Sequence, residues 1–481
     1  MFFSIMFVFL FCMFFIFLFY NNNGCLPFHY SIDNFVFYKV ALSIRNLDFP
    51  TPESIGVSPV YPLLISIFDF FVRAKYSLII TDIICLLIFL IFFYKLIEYR
   101  FGKNRAFISV LLCGLNPFFL RAVFSGYSEM LSYLFLCVGV YLFILNRVKR
   151  SIIFFVFSVL IRPEYLLIFP LLLFRGGNEK KRAAAIFILL LLIFNTFFVN
   201  VFTRSHTNPF LSKYGYTFYK LKGYLEAKDK SSYLNKAFFE SKEVYSTEKI
   251  EEFNSKIKDE KIKYILHSPL IYLMNVLVVI KIFIKNFWFF LISLPIFLFF
   301  YKKTIPGIYY FILISPFIFI SSQPLHPENI RYFTYLIPVF SFFISYILNK
   351  RRFISLLIII MMCFISLSYL NYYMSDSLHF NRIISFFKEN SIKQKNIMTN
   401  SSWVAFETGN EWYMPPPFAE NKKKFDDYVN ENKIDYLVFD PDWKNLDYDF
   451  YNNRFLNQLK KDGKYFPILS ERIYGIDHEI K

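Results

Sequence analysis

Four short stretches hold the residues whose types and spacing could do chemistry. The first reads His29-Tyr-Ser-Ile-Asp33-Asn-Phe-Val-Phe-Tyr38-Lys-Val-Ala41, followed by Ser58-Pro-Val-Tyr61-Pro62-Leu-Leu. Asp33 heads a run in which Val36, Phe37, Val40 and Ala41 recur at helical spacing, so a carboxylate stands where a helix start favours negative charge. Such a group can take a proton from an attacking hydroxyl or amine. It can equally be a plain N-cap. The second stretch, Ser125-Gly-Tyr127-Ser-Glu129, sets an acid at the head of an apolar run, and the third, Ile161-Arg162-Pro163-Glu164-Tyr165, interrupts another. The fourth is His326-Pro-Glu328-Asn-Ile-Arg331-Tyr332. The Arg331 guanidinium matches a phosphate through two parallel hydrogen bonds, or else anchors the chain at a membrane border beside Tyr332. His326 and Glu328 suit a solvated loop as well as a site.

Several chemistries are excluded. The chain has no GxGxxG after a strand, no GKS/T, no HExxH and no GxSxG. Its six histidines are scattered, and five of its six cysteines sit in apolar runs without a CxxC pair, against both a zinc site and a disulfide framework. Asp440-Pro-Asp442 has the spacing of a metal-binding DxD but follows a strand and reads as a turn.

The elements that must position these residues are apolar. The chain is 56% hydrophobic and only 19% charged, with a mean hydropathy of +0.42, beyond the range of soluble domains. A bilayer core takes about 20 apolar residues per helix, since every backbone group there must be bonded internally. Nine stretches meet that demand: residues 1–20, 77–94, 106–123, 130–145, 183–202, 287–300, 307–322, 332–348 and 353–373. Residues 151–174, basic at both ends and broken at Arg162-Pro163, read as a hairpin of two short helices. Five loops carry 16 Lys/Arg against Glu98 and Glu179, and all fall on one side if the N-terminus is cytoplasmic. The excess charge of +17 therefore belongs to the membrane part and does not call for nucleic acid; residues 375–481 hold 15 Lys/Arg against 17 Asp/Glu.

Three segments then face the other side. Residues 21–58 lead into 59–72, short for a span and suited to the interface. Residues 203–268 are charged and Tyr-rich, and run into a 267–286 stretch with Lys281 and Lys285 at helical spacing. From residue 374 on, helices at 383–390, 425–432 and 450–461 alternate with strands at 396–399 and 436–440, which predicts a small α/β unit.

Taken together, an acid after the first helix, the Tyr-Ser-Glu at Tyr127–Glu129, the Arg162-Pro163 break, the Arg331-Tyr332 pair ahead of Pro338, and a soluble C-terminal tail resemble the GT-C superfamily. These are integral-membrane glycosyltransferases that use polyprenyl-phosphate sugars, among them protein O-mannosyltransferases, aminoarabinose transferases and GPI mannosyltransferases. The resemblance implies an all-α polytopic bundle at 1–373 and an extracytoplasmic α/β domain at 374–481 of an inner-membrane protein. It implies transfer of a sugar from a polyprenyl-phosphate donor to a glycan, lipid or protein acceptor, with inversion. Asp33 would be the general base, Arg331 and His326 would bind the donor phosphate, and Tyr38, Tyr61, Glu129 and Tyr332 would shape the acceptor side. Asn34 rather than a second acid follows Asp33, which leaves a divalent metal open. Two rival classes stay in view: an O-antigen-type polymerase or ligase, and a lipid-linked sugar transporter or flippase, the latter disfavoured because no internal repeat is visible.

Overall fold

The structure is a computed structural model of the chain that describes residues 1–30, 32–48, 58–72, 75–162, 165, 184–194, 334, 336–348, 352–399, 401–413, 422–439, 464–469 and 473–476. At Asp33 it describes the backbone alone. Arg331, His326, Tyr332, the stretches 203–268, 267–286, 287–300, 307–322 and 450–461, and Asp440-Pro-Asp442 lie outside the described residues.

The membrane part opens with α1 (Phe2–Asn23), α2 (Ile32–Asn46), α3 (Val60–Asp69) and α4 (Lys75–Phe101). It continues through α5 (Lys103–Gly114), α6 (Pro117–Phe124), α7 (Glu129–Ile144), α8 (Val148–Ile161) and α9 (Ala184–Phe194). After α10 (Ile337–Leu348) and α11 (Arg352–Met374), α12 (Asp376–Glu389) leads into the C-terminal unit. Among the described helices, α1, α4 and the continuous stretch Phe353–Glu389 are long and apolar enough to cross a membrane. The helix expected from Asp33 onward forms as α2, and 59–72 forms the short α3 packed against it.

One expected span is not a straight helix. Residues 106–123 divide into α5 and α6, bent by 58°. The cause is Asn116-Pro117: the Asn116 side chain accepts from the Phe118 and Phe119 amides at 3.0 and 3.3 Å, and Pro117 takes the first helical position. Ser366 on α11 donates to the Leu115 carbonyl at the break, so a group that helix continuity would have bonded finds a partner next door. The Arg162-Pro163 break also forms. Helix α8 ends at Ile161 and Arg162 is extended (φ −132°, ψ 96°), as a residue before proline must be. The returning arm of the expected hairpin lies outside the described residues.

Some polar groups inside this apolar body are paired from helix to helix. Ser109 meets Ser345 at 2.6 Å between α5 and α10, and Ser158 on α8 donates to the Ser132 carbonyl on α7 at 3.1 Å. A Cβ at Gly139 would lie 2.6 Å from the Phe155 ring, so the α7–α8 approach requires glycine there. Helix α1 buries Ser4, Val8, Phe11, Cys12, Phe15 and Phe19 on one stripe. It leaves Phe3, Leu10, Phe14 and Phe17 exposed, the pattern of a helix with one protein face and one lipid face.

The C-terminal unit holds β1 (Asn396–Thr399), α13 (Ser402–Thr408), β2 (Glu411–Tyr413), α14 (Lys422–Glu431), β3 (Tyr436–Val438), β4 (Tyr465–Leu469) and β5 (Ile473–Ile476). Its sheet runs β2-β1-β3-β5-β4, with β1 parallel to β2 and β3 and with β5 antiparallel to β3 and β4. The small α/β unit expected from the sequence is thus present, extended by α13 and the β4–β5 hairpin. One apolar core runs without a gap from α1 to Trp403, Val404 and Ile397, so the unit is packed onto the helices.

Candidate active site

The head of α2 is tied to its neighbours by a single asparagine. Asn34, fully buried on the first turn of α2, donates through Nδ2 to the His29 carbonyl at 2.5 Å and to the Ser125 carbonyl at 2.9 Å. Its Oδ1 accepts the Trp403 indole N–H at 2.6 Å. One amide therefore joins the segment after α1, the α6–α7 turn and α13 of the C-terminal unit. The backbone of Asp33 is the preceding residue, so the head of α2 is anchored where those three parts meet.

Aromatic packing completes the joint. Trp403 is fully buried, stacked on Tyr38 at 5.5 Å and met edge-on by Phe28 and Phe35 at 5.4 Å each. Tyr38, expected on the acceptor side, is thus a core contact between α2 and α13. The Phe28 amide donates to Ser377 Oγ at 3.2 Å, and that hydroxyl donates to the Phe28 carbonyl at 2.5 Å, tying the segment to α12. Lys75 at the head of α4 donates to Tyr30 OH at 2.6 Å and pairs with Glu407 at 3.1 Å. Burial, then the nearby Glu407 carboxylate, pushes Tyr30 well above its ordinary value. Its hydroxyl in turn donates a hydrogen bond to Asn381 Oδ1 at 3.3 Å.

The α6–α7 turn is built to be held. Gly126 takes φ +63° with Leu78 of α4 3.1 Å from where a Cβ would be, so neither the conformation nor the space suits a side chain. Tyr61, the other tyrosine expected near the site, lies on α3 and donates to Asp82 Oδ1 at 3.1 Å. Asp82 is fully buried on α4, and its Oδ2 has no hydrogen-bond partner among the described residues. Glu129, at the head of α7, is ion-paired with Arg162 at the end of α8, both buried. The Tyr-Ser-Glu stretch and the Arg-Pro break, separate motifs in the sequence, are partners in space.

Beside the turn stands a cluster that the sequence motifs do not contain. His29 stacks on Tyr373 at 4.8 Å and lies edge-on to Tyr127 at 6.2 Å. The Arg121 guanidinium carbon is 3.9 Å from the Tyr373 ring centroid, and its Nη1 donates to Tyr369 OH at 3.4 Å. Arg121 and Asp82 both lie inside apolar stretches, where any ionisable residue is a functional candidate by default; that signal was available in the sequence. Trp403 carried none. Among the described residues no group of three or more His, Cys, Asp or Glu side chains could hold a metal ion.

No protein-family model matches the chain, and no curated protein matches its sequence. Among solved structures it is similar to two crystal structures of the Archaeoglobus fulgidus oligosaccharyltransferase. In one, that protein is in complex with Zn and sulfate; the TM-score is 0.51 at 14% identity, over 98% of this chain and 72% of that one. In the other it is tethered through a disulfide bond to an acceptor peptide containing the NVT sequon, with TM-score 0.50 and 14% identity over 94% and 70%. At such identity the likeness shows a shared fold and nothing finer.

Proposed function

We propose that this protein is a membrane-embedded glycosyltransferase that moves a sugar or glycan from a polyprenyl-phosphate carrier to an acceptor, at the membrane face bearing the C-terminal unit. In this reading residues 1–373 form the catalytic bundle of an inner-membrane protein, the N-terminus is cytoplasmic, and residues 374–481 are extracytoplasmic. A donor whose carrier is a lipid must be met from within the bilayer, which gives a sugar-handling enzyme reason to be built of apolar helices.

The observation that carries the proposal is the anchoring of the α2 head. Asn34 bonds it to the α6–α7 turn and to Trp403, on a fold shared with an oligosaccharyltransferase. The residue before Asn34 is an acid at a helix start, where a carboxylate is stabilised in its charged, proton-accepting form.

The step balances as a single displacement with inversion. An acceptor hydroxyl or amine attacks the anomeric carbon, and its proton goes to Asp33. The bond from that carbon to the carrier's phosphate oxygen breaks, and the electron pair stays on the phosphate. The extra negative charge is met by Arg331, with His326 as a second donor. Tyr332 and Glu129 border the acceptor side, and mannosyl-type donors are the favoured class. A divalent metal would act as an additional Lewis acid on the same phosphate.

Purified Asp33→Asn protein, assayed with a labelled polyprenyl-phosphate sugar, is expected to lose about a hundredfold or more in turnover, the scale of a general base, while its melting temperature is unchanged. Wild-type turnover in that variant would overturn the assignment of the base. Arg331→Ala is expected to raise the KM for donor more than it lowers kcat.

A further inference from the structure

Cations near the end of the bundle that carries the C-terminal unit mostly have carboxylate partners. Arg45 pairs with Asp69, Lys75 with Glu407 and Arg162 with Glu129. Arg121 differs. Among the described residues no carboxylate is within ion-pairing distance of it. Its surroundings are the rings of Tyr373 and Tyr369, with His29 stacked on the first. A guanidinium has five N–H donors, and one long bond to Tyr369 occupies a single one of them. An aromatic face offsets part of the cost of holding a charge among apolar helices, and an anion would offset the rest.

The way in is apolar. Along α11 the side chains of Met361, Ile365 and Tyr372 stay exposed at helical spacing, on the face that also carries the half-buried Tyr369. A chain lying on that face would bring a headgroup to Arg121. Its position also borders the anchored α2 head: the Arg121 carbonyl accepts from Ser125 Oγ at 2.7 Å, and the Ser125 carbonyl accepts from Asn34.

We propose that Arg121, with the rings of Tyr369, Tyr373 and His29, forms a subsite for the phosphate group of a lipid that runs along α11. The identity of that lipid as the donor carrier rests on the glycosyl-transfer reading; the existence of the subsite does not. A phosphate that gains negative charge as the sugar leaves has more acceptor oxygens than one guanidinium can serve, so the subsite does not require that Arg121 act alone.

The test uses the full-length protein in phosphatidylcholine nanodiscs and reads binding of a short-chain polyprenyl phosphate that carries no sugar. Arg121→Gln is expected to weaken binding about tenfold or more, the effect of losing a charge-assisted hydrogen bond, and Arg121→Lys to recover part of it. In the wild-type protein, polyprenyl phosphate should shield Arg121 from phenylglyoxal while polyprenol, lacking the phosphate, should not. This second measurement needs no substitution to fold. Equal binding by Arg121→Gln, or equal shielding by polyprenol, would overturn the subsite. Equal competition by inorganic phosphate would overturn a lipid ligand, and equal competition by phosphatidylglycerol would overturn the donor carrier in favour of a bulk phospholipid. Arg121-dependent binding without any sugar transfer would keep the subsite and sink the glycosyl-transfer reading.

Discussion

Two arginines near the same end of the bundle have opposite surroundings. Arg162 closes α8 with its guanidinium buried against Glu129 on α7, and the seam around it is tight enough to require Gly139. Arg121 closes α6 over the face of Tyr373, is only half-buried, and has no carboxylate among the described residues. A cation neutralised from within is committed to holding helices together. One that is cushioned by rings, with no carboxylate at hand, keeps its charge for an anion that arrives from outside. The difference between scaffold and site here is the partner, not the residue type.

That contrast can be broken in measurable ways. The largest effect is expected at the closed seam. Arg162→Gln leaves a carboxylate buried without its cation and should cost about 3–5 kcal/mol, read by thermal unfolding in detergent. The double variant Glu129→Gln with Arg162→Gln should recover most of the loss, and equal stability of single and double variants would show that the pair does not carry the seam. Arg121→Gln, by comparison, should barely move the melting temperature.

A smaller loss is expected at the Asn34 joint, which is closed like the Arg162 seam but neutral. Trp403→Phe leaves the buried Asn34 Oδ1 without its donor, a cost of about 1–3 kcal/mol for one stranded group. Limited proteolysis should then release the C-terminal unit faster than in wild type; unchanged protection would mean that aromatic packing alone holds the joint. The smallest effect lies in the C-terminal unit itself. Burial, with the Tyr413 phenol beside it, pushes Tyr428 from 10 to about 12. The neutral form is the one that suits the fold, so its contribution is complete below pH 10 and declines as pH rises toward 12. Tyr428→Phe should flatten the stability loss across that window, and an identical pH profile would remove Tyr428 as its source.

Much of the architecture was legible because hydropathy and proline act locally. Among the described residues the apolar stretches are helical, the run from Asp33 became α2, Arg162 ended α8, and 396–399 became β1. Where the expectation of a straight helix failed, at 106–123, the cause was also local: Asn116-Pro117 is a helix start written inside an apolar run. The site was less legible. Asn34 stood out only as the residue that was not a second acid, yet it is a three-way hydrogen-bond hub, and nothing in the sequence pointed to the stack of Tyr38 on Trp403.

By itself the sequence determined where chain must be helical in lipid and where it must break, because an unpaired backbone group in an apolar medium is costly wherever it occurs. It also determined which residue types were available for proton transfer and for holding an anion. Only the tertiary structure decided which of them are neutralised. Arg162 lies 33 residues from Glu129 in the chain and Trp403 lies 369 from Asn34, and pairings at such separations follow from how whole helices pack, not from any neighbouring residue.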